Sequence, residues 1–423
     1  MLYAAFILAS GRGRSVAAPA TIRVLQERRL RALVAHAWDR VPIHRRRLEM
    51  AGVTPDLVRT LDDLPRLPTM SNGLLRETPL QDLVTRGFDL THGDVVRTGG
   101  STGTPLGIVR GPREVDWHRA AGLRILRELG FRWTDRTLEV RALPGPTFSV
   151  QRLGFAPKRW ASILDPPETL LRTLLEYRPQ ILCATPSTLH ELASAALAAG
   201  VRPAPLRVVI SDSEALLPTT RALVARALGT APTDVYGLVE VSNLAFECQP
   251  PRGLHVAADT HLVEVLDEDG GPASPGVPGR IVVTDLMART MPMLRYETGD
   301  RGTLVTEPCA CGRTFPRIID LVGRAADVVL LPDGRRLHWP YFHETLARFD
   351  DLERYQVIQD DPLRLRVRVL ARAERFDVVV AGVRAELAAQ LPAAMTLVFE
   401  PWSAEPEDPT RKYRAVISRL PGA

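Results

Sequence analysis

A stretch of nine residues in the first third of the chain combines glycine with hydroxyl side chains. It follows the strand-like segment Asp94–Arg97 and consists of Thr98, Gly99, Gly100, Ser101, Thr102, Gly103, Thr104, Pro105 and Leu106. Glycine lets a backbone turn tightly, and the successive N–H groups of such a turn form a concavity that binds anions. Hydroxyl groups add further donors. The composition is that of a phosphate-binding loop, and equally that of a flexible surface turn.

Two familiar nucleotide-binding loops are excluded at this position. A Walker A loop needs a lysine directly after a glycine, but the two lysines of the chain, Lys158 and Lys412, follow other residues. The G-x-G-x-x-G pattern of dinucleotide-binding folds is also absent from the stretch.

A second candidate site lies in the segment Asp234–Glu240, where Tyr236 and Gly237 precede Glu240. An aromatic ring beside a glycine turn can stack on a purine. A carboxylate that follows shortly after can hold a divalent cation that screens phosphates. The alternative is a strand that runs into a turn without a ligand.

Two charged residues near the C-terminal side suit other parts of a nucleotide reaction. Asp300 is an acceptor-only carboxylate, which matches the two donor hydroxyls of a ribose, although a turn aspartate is a common structural feature. Lys412 is unusual because the basic charge of this chain is carried almost entirely by arginine. A retained lysine suggests a need for a compact ammonium group, with a surface lysine of no function as the alternative.

Three cysteines and one histidine have spacings that suit a metal ion. Cys248 precedes His255, and Cys309 and Cys311 follow later among polar residues. Three thiolates and an imidazole form a complete tetrahedral zinc set, which leaves no open position and predicts a structural metal. Buried cysteines that act as small hydrophobes are the alternative. Cys183 belongs to a predicted core strand and is left out of this set.

Composition limits the classes of function. The chain has 423 residues, 45% hydrophobic and 24% charged, with a formal net charge of +5. These values are ordinary for a globular enzyme of two domains. The basic residues do not form a stripe with interleaved aromatics, so a nucleic-acid partner is not expected. No apolar run is long enough to span a bilayer. Four cysteines do not indicate a disulfide framework, so we expect a cytoplasmic protein.

The hydrophobic pattern predicts how these residues are positioned. Residues 20–50 and 114–129 have helical periodicity. Between 130 and 235, strands and helices alternate, which predicts a mostly parallel sheet with helices on its faces. Within this region, a helix from Pro218 to Leu228 should end at Gly229. Ligands of such sheets bind beyond the carboxyl ends of the strands. We therefore expect the glycine-rich loop, Thr185–Ser187 and Ser211–Glu214 to lie at such ends. A smaller unit begins after about residue 322. Its expected elements are strands over 327–332, 354–359, 363–370 and 395–399, helices over 340–349 and 376–390, and an exposed loop over 401–409.

The motifs resemble those of the adenylate-forming enzymes. The glycine-rich stretch is similar to their signature loop, except that Thr104 stands where lysine is usual. Asp234–Glu240 is similar to their Tyr-Gly-x-x-Glu motif and Arg295–Asp300 to their Arg-Tyr-x-Thr-Gly-Asp motif. Lys412–Ile417 is similar to the segment that bears their adenylation lysine. Together with Leu61–Pro68, this order resembles the branch of phenylacetate–CoA ligases and coenzyme-F synthetase-like proteins.

The resemblance implies an α/β fold with a large adenylation domain over residues 1–322 and a small mobile α+β domain over residues 323–423. It implies activation of a carboxylic acid, of aryl or arylacetic type, by ATP and Mg²⁺, followed by transfer to a thiol, with coenzyme A expected. Ala326 departs from the family's hinge residue, so the exact hinge is open. Transfer to an amine, and a non-catalytic binding protein, remain alternatives. A homodimer is compatible with the family.

Residue roles carry over by motif. Lys412 would bridge the α-phosphate and the attacking carboxylate, and Glu240 would bind Mg²⁺. The coenzyme-F-type branch carries Glu-Cys, Gly-x-His and Cys-x-Cys-Gly segments, which supports zinc at Cys248, His255 and the Cys309–Cys311 pair. The predicted nucleotide-binding set comprises the loop Thr98–Thr104, Glu214, Tyr236, Gly237, Asp300 and Arg324.

Overall fold

The structure is a computed structural model that describes residues 13–97, 107–141, 151, 154–163, 165–322, 328–332, 336–338, 342, 346, 349, 351–402 and 416–420. The chain forms two compact units, one of Met1–Thr298 and Gly302–Leu321, the other of Gly299–Arg301 and Val322–Ala423. None of the helices within the described ranges is long and apolar enough to cross a membrane.

The described α-helices are α1 Pro19–Arg40, α2 Pro42–Met50, α3 Asn72–Glu77, α4 Leu80–Leu83, α5 Pro112–Glu128, α6 Pro167–Tyr177, α7 Pro186–Ala198, α8 Pro218–Leu228 and α9 Phe376–Gln390. The strands are β1 Asp94–Arg97, β2 Gly107–Arg110, β3 Thr137–Arg141, β4 Lys158–Ser162, β5 Ile181–Ala184, β6 Val208–Asp212, β7 Pro232–Leu238, β8 Ser242–Glu247, β9 Leu254–Val256, β10 His261–Leu266, β11 Gly279–Asp285, β12 Tyr296–Val305, β13 Arg317–Val322, β14 Val328–Leu330, β15 Arg336–His338, β16 Leu352–Asp361, β17 Arg364–Ala371, β18 Thr396–Pro401 and β19 Val416–Ser418.

The first unit is built on an 11-stranded sheet in the order β10-β11-β12-β13-β9-β8-β7-β6-β5-β3-β4. Strands β4, β3, β5, β6 and β7 pair parallel in this order, and the β7–β8 and β8–β9 pairs are antiparallel. The predicted mostly parallel core of an α/β fold is therefore confirmed, and the strand-rich part extends the same sheet.

Both faces of the central parallel strands β5 and β6 are buried, which explains their apolar sequences. On one face Leu182 and Val209 pack in a cluster with residues of α6, α7 and α8. On the other face Ile181 and Ile210 pack against Ile125 of α5. Alternate residues of a strand point to opposite faces, so one short run such as Ile181–Ala184 serves both clusters.

The N-terminal helices cover the antiparallel end of the sheet. Leu30 and Leu33 of α1 are fully buried and cluster with Leu262 of β10. The sequence predicted one helix over residues 20–50, but Val41 has an extended backbone and separates α1 from α2. The break follows from Pro42, because a residue before proline disfavours the α conformation.

The two short strands β1 and β2 pair antiparallel, and Arg97 lies opposite Gly107. The glycine-rich stretch is thus the connection of a hairpin whose two ends are adjacent. Its own residues 98–106 lie outside the described part of the chain.

The second unit contains a four-stranded sheet in the order β18-β17-β16-β19. Its core places Val383 and Leu387 of α9 in one cluster with Val357 and Val367 of β16 and β17. The predicted strands over 354–359, 363–370 and 395–399 and the helix over 376–390 are confirmed with small shifts at their ends. The predicted helix over 340–349 and loop over 401–409 fall largely outside the described residues.

Candidate active site

The structure describes some of the predicted site residues and not others. The loop residues Thr98–Thr104, the linker residue Arg324 and the C-terminal Lys412 lie outside the described ranges. Their roles remain predictions from the sequence. The other predicted residues can be located.

The carboxyl ends of β5 and β6 lie side by side, and Glu214, which follows β6, binds the start of the helix that follows β5. Both carboxylate oxygens of Glu214 accept from Ser187 of α7, one from its main-chain N–H and one from its hydroxyl, each at 3.1 Å. The negative charge of the Glu214 carboxylate stabilises the first turn of α7, because the N–H groups of that turn lack intrahelical partners. Glu214, predicted as a nucleotide residue, therefore also has a structural contact.

Tyr236 and Gly237 lie near the end of β7, where the pairing with β8 is interrupted by an irregular register. A Cβ atom at Gly237 would lie 2.6 Å from the main-chain oxygen of Ser242. The glycine of this motif is thus required by the close approach of two strands, independently of any ligand. The bulge changes the direction in which the neighbouring side chains point.

The start of the same motif carries a perturbed carboxyl group. Burial raises the pKa of Asp234 to about 7, and the charge of Glu247 acts in the same direction. Glu247 itself is paired with Arg221 through two N–H···O contacts of 2.9 Å and accepts from the Asp234 main chain at 3.1 Å. Arg221 therefore neutralises one of the two neighbouring acids and leaves the other to take up a proton.

Glu240, the predicted Mg²⁺ ligand, is only 5% exposed. Its Oε1 accepts a hydrogen bond of 2.9 Å from the hydroxyl of Tyr296. The guanidinium of Arg110 donates to the main-chain oxygen of the adjacent Val239 rather than to this carboxylate. Within the described part of the chain, Glu240 has no ion pair. A buried carboxylate without a paired cation is costly, so the site suits a metal ion.

Two further side chains, Asn72 and Arg76, extend the contact of Tyr296 with Glu240 into a series of hydrogen bonds. Asn72 Nδ2 lies 3.2 Å from the Tyr296 hydroxyl, and Arg76 Nε lies 2.6 Å from Asn72 Oδ1. The main chain of Met70 holds both sides of Tyr296, donating to the carbonyl of Arg295 at 2.8 Å and accepting from Glu297 at 2.9 Å. The segment before α3 is thereby fixed to the start of β12.

Arg295 strengthens the same junction. Its guanidinium forms two contacts of 2.9 Å with Glu264 and donates to the carbonyl oxygens of Leu67 at 2.6 Å and Pro65 at 3.2 Å. The side chain is 4% exposed. Arg295 therefore anchors the N-terminal segment to the sheet, and its contacts are structural. Asp300, the predicted ribose ligand, is buried further along β12.

The four predicted zinc ligands come together. Their ligand atoms all lie within 4.8 Å of one another. Cys248 follows β8, and His255 lies in β9, which pairs with β13. Cys309 and Cys311 lie in the turn before β13, so this pairing carries them to the other two ligands.

The distances within this cluster match a tetrahedral site. Cys248 Sγ and Cys309 Sγ are 3.8 Å apart, and Cys311 Sγ is 3.3 Å from His255 Nε2. Zinc–sulfur bonds of about 2.3 Å at tetrahedral angles place two sulfurs about 3.8 Å apart. His255 Nδ1 lies 3.1 Å from the Phe315 carbonyl, which fixes the ring and leaves Nε2 for a metal. The donor set therefore fits zinc.

Comparison with known proteins agrees with the motifs. The profile of the family described as AMP-binding enzyme matches residues 95–287. A phenylacetate-coenzyme A ligase of Thermus thermophilus is 32% identical over 335 residues, covering 73% of this chain and 72% of that protein. The chain belongs to the phenylacetate–CoA ligase branch of the adenylate-forming enzymes. The corresponding ligase of Escherichia coli is 27% identical over 348 residues, covering 78% of this chain and 77% of its own length.

Solved structures of adenylate-forming enzymes share the fold. A 2-hydroxyisobutyryl-CoA ligase in its postadenylation state aligns with a TM-score of 0.79 and 20% identity, covering 96% of this chain and 92% of that chain. The anthranilate CoA ligase AuaEII in complex with anthranoyl-AMP aligns with a TM-score of 0.55 and 16% identity, covering 84% and 73%. The predicted fold class is thus confirmed.

Sequence reasoning missed the residues that support the site of this adenylate-forming enzyme. Tyr296 was part of a recognised motif, but its contact with Glu240 spans 56 positions. Asn72 and Arg76 carry no motif. The available signal was their helical spacing, which places residues four apart on one face of a helix.

Proposed function

We propose that this protein activates a carboxylic acid with ATP and transfers the acyl group to coenzyme A. A carboxylate oxygen attacks the α-phosphorus, the bond to the bridging oxygen breaks, and pyrophosphate leaves. The thiol of coenzyme A then attacks the acyl carbon of the mixed anhydride. Its proton is released and AMP leaves, so a thioester remains.

The observation that carries the proposal is the buried Glu240 at the Tyr-Gly-x-x-Glu motif, in a chain that belongs to this family. Its carboxylate is held by Tyr296 at 2.9 Å and is not neutralised by an ion pair among the described residues. When bound there, Mg²⁺ supplies charge that screens the phosphates of ATP. The carboxylate at this position is suited to orient the metal nucleotide.

The remaining roles follow the motifs. The Thr98–Thr104 loop would hold the β- and γ-phosphates, and Tyr236 would contact adenine. Asp300 and Arg324 would hold the ribose. Lys412 would bring positive charge to the α-phosphate, where negative charge develops. The domain over residues 323–423 would carry this lysine in for adenylation and move before thioester formation, which protects the reactive anhydride from water.

An aryl or arylacetic acid is the substrate class that we propose, because the curated relatives are ligases of phenylacetate. A cytoplasmic location accords with a coenzyme A thioester as product. A homodimer is compatible with this proposal but does not carry it.

The test is carboxylate-dependent exchange of pyrophosphate into ATP across a panel of acids. Lys412→Ala should reduce exchange by about 10²–10³-fold, as expected for loss of a charge aimed at the transition state. The other lysine of the chain gives a matched control. Lys158 pairs with Glu139 at 2.8 Å on neighbouring strands, and Lys158→Ala should leave exchange near the wild-type rate.

Three results would contradict parts of the proposal. Full exchange in Lys412→Ala would remove that lysine from adenylation. Absence of exchange with every acid, together with absence of ATP binding, would favour a binding protein. Exchange followed by release of AMP with an amine, but not with coenzyme A, would change the acceptor.

We also propose that the cysteine–histidine cluster binds a structural Zn²⁺. Cys248, His255, Cys309 and Cys311 supply all four positions, so the ion would stabilise the β8–β9–β13 region and take no part in catalysis. The purified protein should contain one equivalent of zinc by elemental analysis. Cys309→Ser should lose it and unfold at a lower temperature. Cys183→Ser is the matched control, and equal zinc in both variants would contradict the assignment.

A further inference from the structure

The contact between Tyr296 and Glu240 is the last of three consecutive hydrogen bonds that start at Arg76 and pass through Asn72. Arg76 determines which group donates in each of them. A guanidinium N–H only donates. Arg76 Nε lies 2.6 Å from one side-chain atom of Asn72, so that atom must be the amide oxygen Oδ1. This assignment orients the amide, which distances alone do not do.

The orientation of the Asn72 amide then determines the donor and acceptor roles at Tyr296. With Oδ1 facing Arg76, the Asn72 NH₂ group faces the Tyr296 oxygen at 3.2 Å and donates to it. The phenol oxygen is then an acceptor on that side, and its single proton is available to Glu240 at 2.9 Å. Each step leaves one possible direction.

We propose that Tyr296 and Asn72 are positioning residues that hold the Glu240 carboxylate in a fixed orientation for the metal ion of the bound nucleotide. The phenol donates its proton to Oε1, so the other oxygen, Oε2, is the one left for the ligand. This inference rests on the proposed function, because it assumes that Glu240 meets Mg²⁺ bound to ATP.

Backbone contacts hold Asn72 and Tyr296 next to each other. Met70 pairs with Tyr296 as an isolated parallel bridge, and Ser71 caps α3 by accepting from the Leu74 N–H at 3.2 Å. Helix α3 therefore begins at Asn72, directly beside the tyrosine. Tyr296 is 1% exposed, so water has little access to replace its hydroxyl.

The test measures how much Mg²⁺ tightens ATP binding. Calorimetric titrations of ATP are run in EDTA and at increasing Mg²⁺, and the ratio of the two dissociation constants is the readout. Tyr296→Phe should reduce this ratio by about tenfold, as expected for one hydrogen bond to a charged acceptor. Binding of ATP in EDTA should stay unchanged, which a general structural defect would not allow.

Asn72→Asp provides a second variant that retains the phenol. Its carboxylate still pairs with Arg76, but it accepts from the Tyr296 hydroxyl and turns the proton away from Glu240. The Mg²⁺ ratio should fall as in Tyr296→Phe. Tyr177→Phe is the matched control, because its hydroxyl donates to the Pro157 carbonyl at 3.2 Å elsewhere in the fold, and its ratio should equal that of the wild type.

The possible results separate the two proposals. A wild-type ratio in both Tyr296→Phe and Asn72→Asp overturns the positioning role while adenylation stands. A fall in Tyr296→Phe alone overturns the directional chain through Asn72. A wild-type protein that binds no ATP, with or without Mg²⁺, overturns the proposed function itself.

Discussion

Replacement of Arg295 by methionine tests whether the motif arginine is an anchor of the fold. The guanidinium forms two contacts of 2.9 Å with Glu264 and donates to two carbonyl oxygens before α3. Arg295→Met keeps the length of the side chain and the positive φ of 45° at this position. It removes the guanidinium that forms two hydrogen bonds with the Glu264 carboxylate, and it leaves the carbonyl oxygens of Pro65 and Leu67 without this donor.

The expected loss of stability comes from the Glu264 carboxylate, which remains buried without its partner. Removing one partner of a buried ion pair destabilises a protein by about 3–5 kcal/mol, because the other charge remains buried. Burial already raises the pKa of Glu264 despite the opposing effect of Arg295. Without Arg295 that pKa should rise further. Its penalty is then present above the folded-state pKa and disappears as pH falls below the unfolded value.

Urea unfolding at several pH values measures this. The deficit of Arg295→Met should be largest at neutral pH and should shrink below about pH 4, where Glu264 becomes protonated in both states. Glu264→Gln added to the variant should recover about 1–3 kcal/mol, which is the usual coupling of contacting residues. Arg280→Met is the control, since the Arg280–Glu297 pair is longer, at 3.6 Å, and partly exposed.

The control should cost less than about 1 kcal/mol, as surface ion pairs do. A deficit in Arg295→Met no greater than that of the control would refute the anchor. A deficit independent of pH would show that the unpaired carboxylate is not its source.

Three further predictions concern single positions. Gly237→Ala should destabilise the fold by about 1–3 kcal/mol in thermal unfolding, because its Cβ would lie 2.6 Å from the Ser242 oxygen. Gly73→Ala, in an open position of α3, should not destabilise it. Burial raises the pKa of Asp234 to about 7, so at mildly acidic pH the folded state holds a proton that the unfolded state has lost. The free energy of unfolding should therefore fall as pH rises from about 4 to about 7. In urea unfolding at several pH values, Asp234→Asn should flatten this dependence. Burial raises the pKa of Cys183 to about 12, so a thiol reagent at neutral pH should label it only after unfolding.

Much of the parallel core was predictable because local pattern and final environment agree. The continuous apolar run Ile181–Ala184 is a strand buried on both faces. The helix Pro218–Leu228 ends where predicted, and Gly229 adopts the left-handed conformation with φ 79°. Such signals depend on residues near in sequence, which is why they can be interpreted without a fold.

Strand β4 was not predicted, for the opposite reason. Lys158–Ser162 has two basic residues and a tryptophan, and no alternating pattern. It is a strand because β3 supplies its hydrogen bonds at the edge of the sheet. Pairing with a distant neighbour outweighed local preference here.

The sequence by itself determined the family, because residue types and motif order are those of the adenylate-forming enzymes, and it predicts a nucleotide loop, a metal-binding glutamate and a cysteine–histidine set. Tertiary structure decided how those groups are held. It placed Tyr296 against Glu240, gave Gly237 its reason in a close strand approach, and brought Cys248 to Cys309 through the pairing of β9 with β13. Motifs record the identity of reacting groups, whereas their orientation depends on contacts between segments far apart in sequence, and only folding forms those contacts.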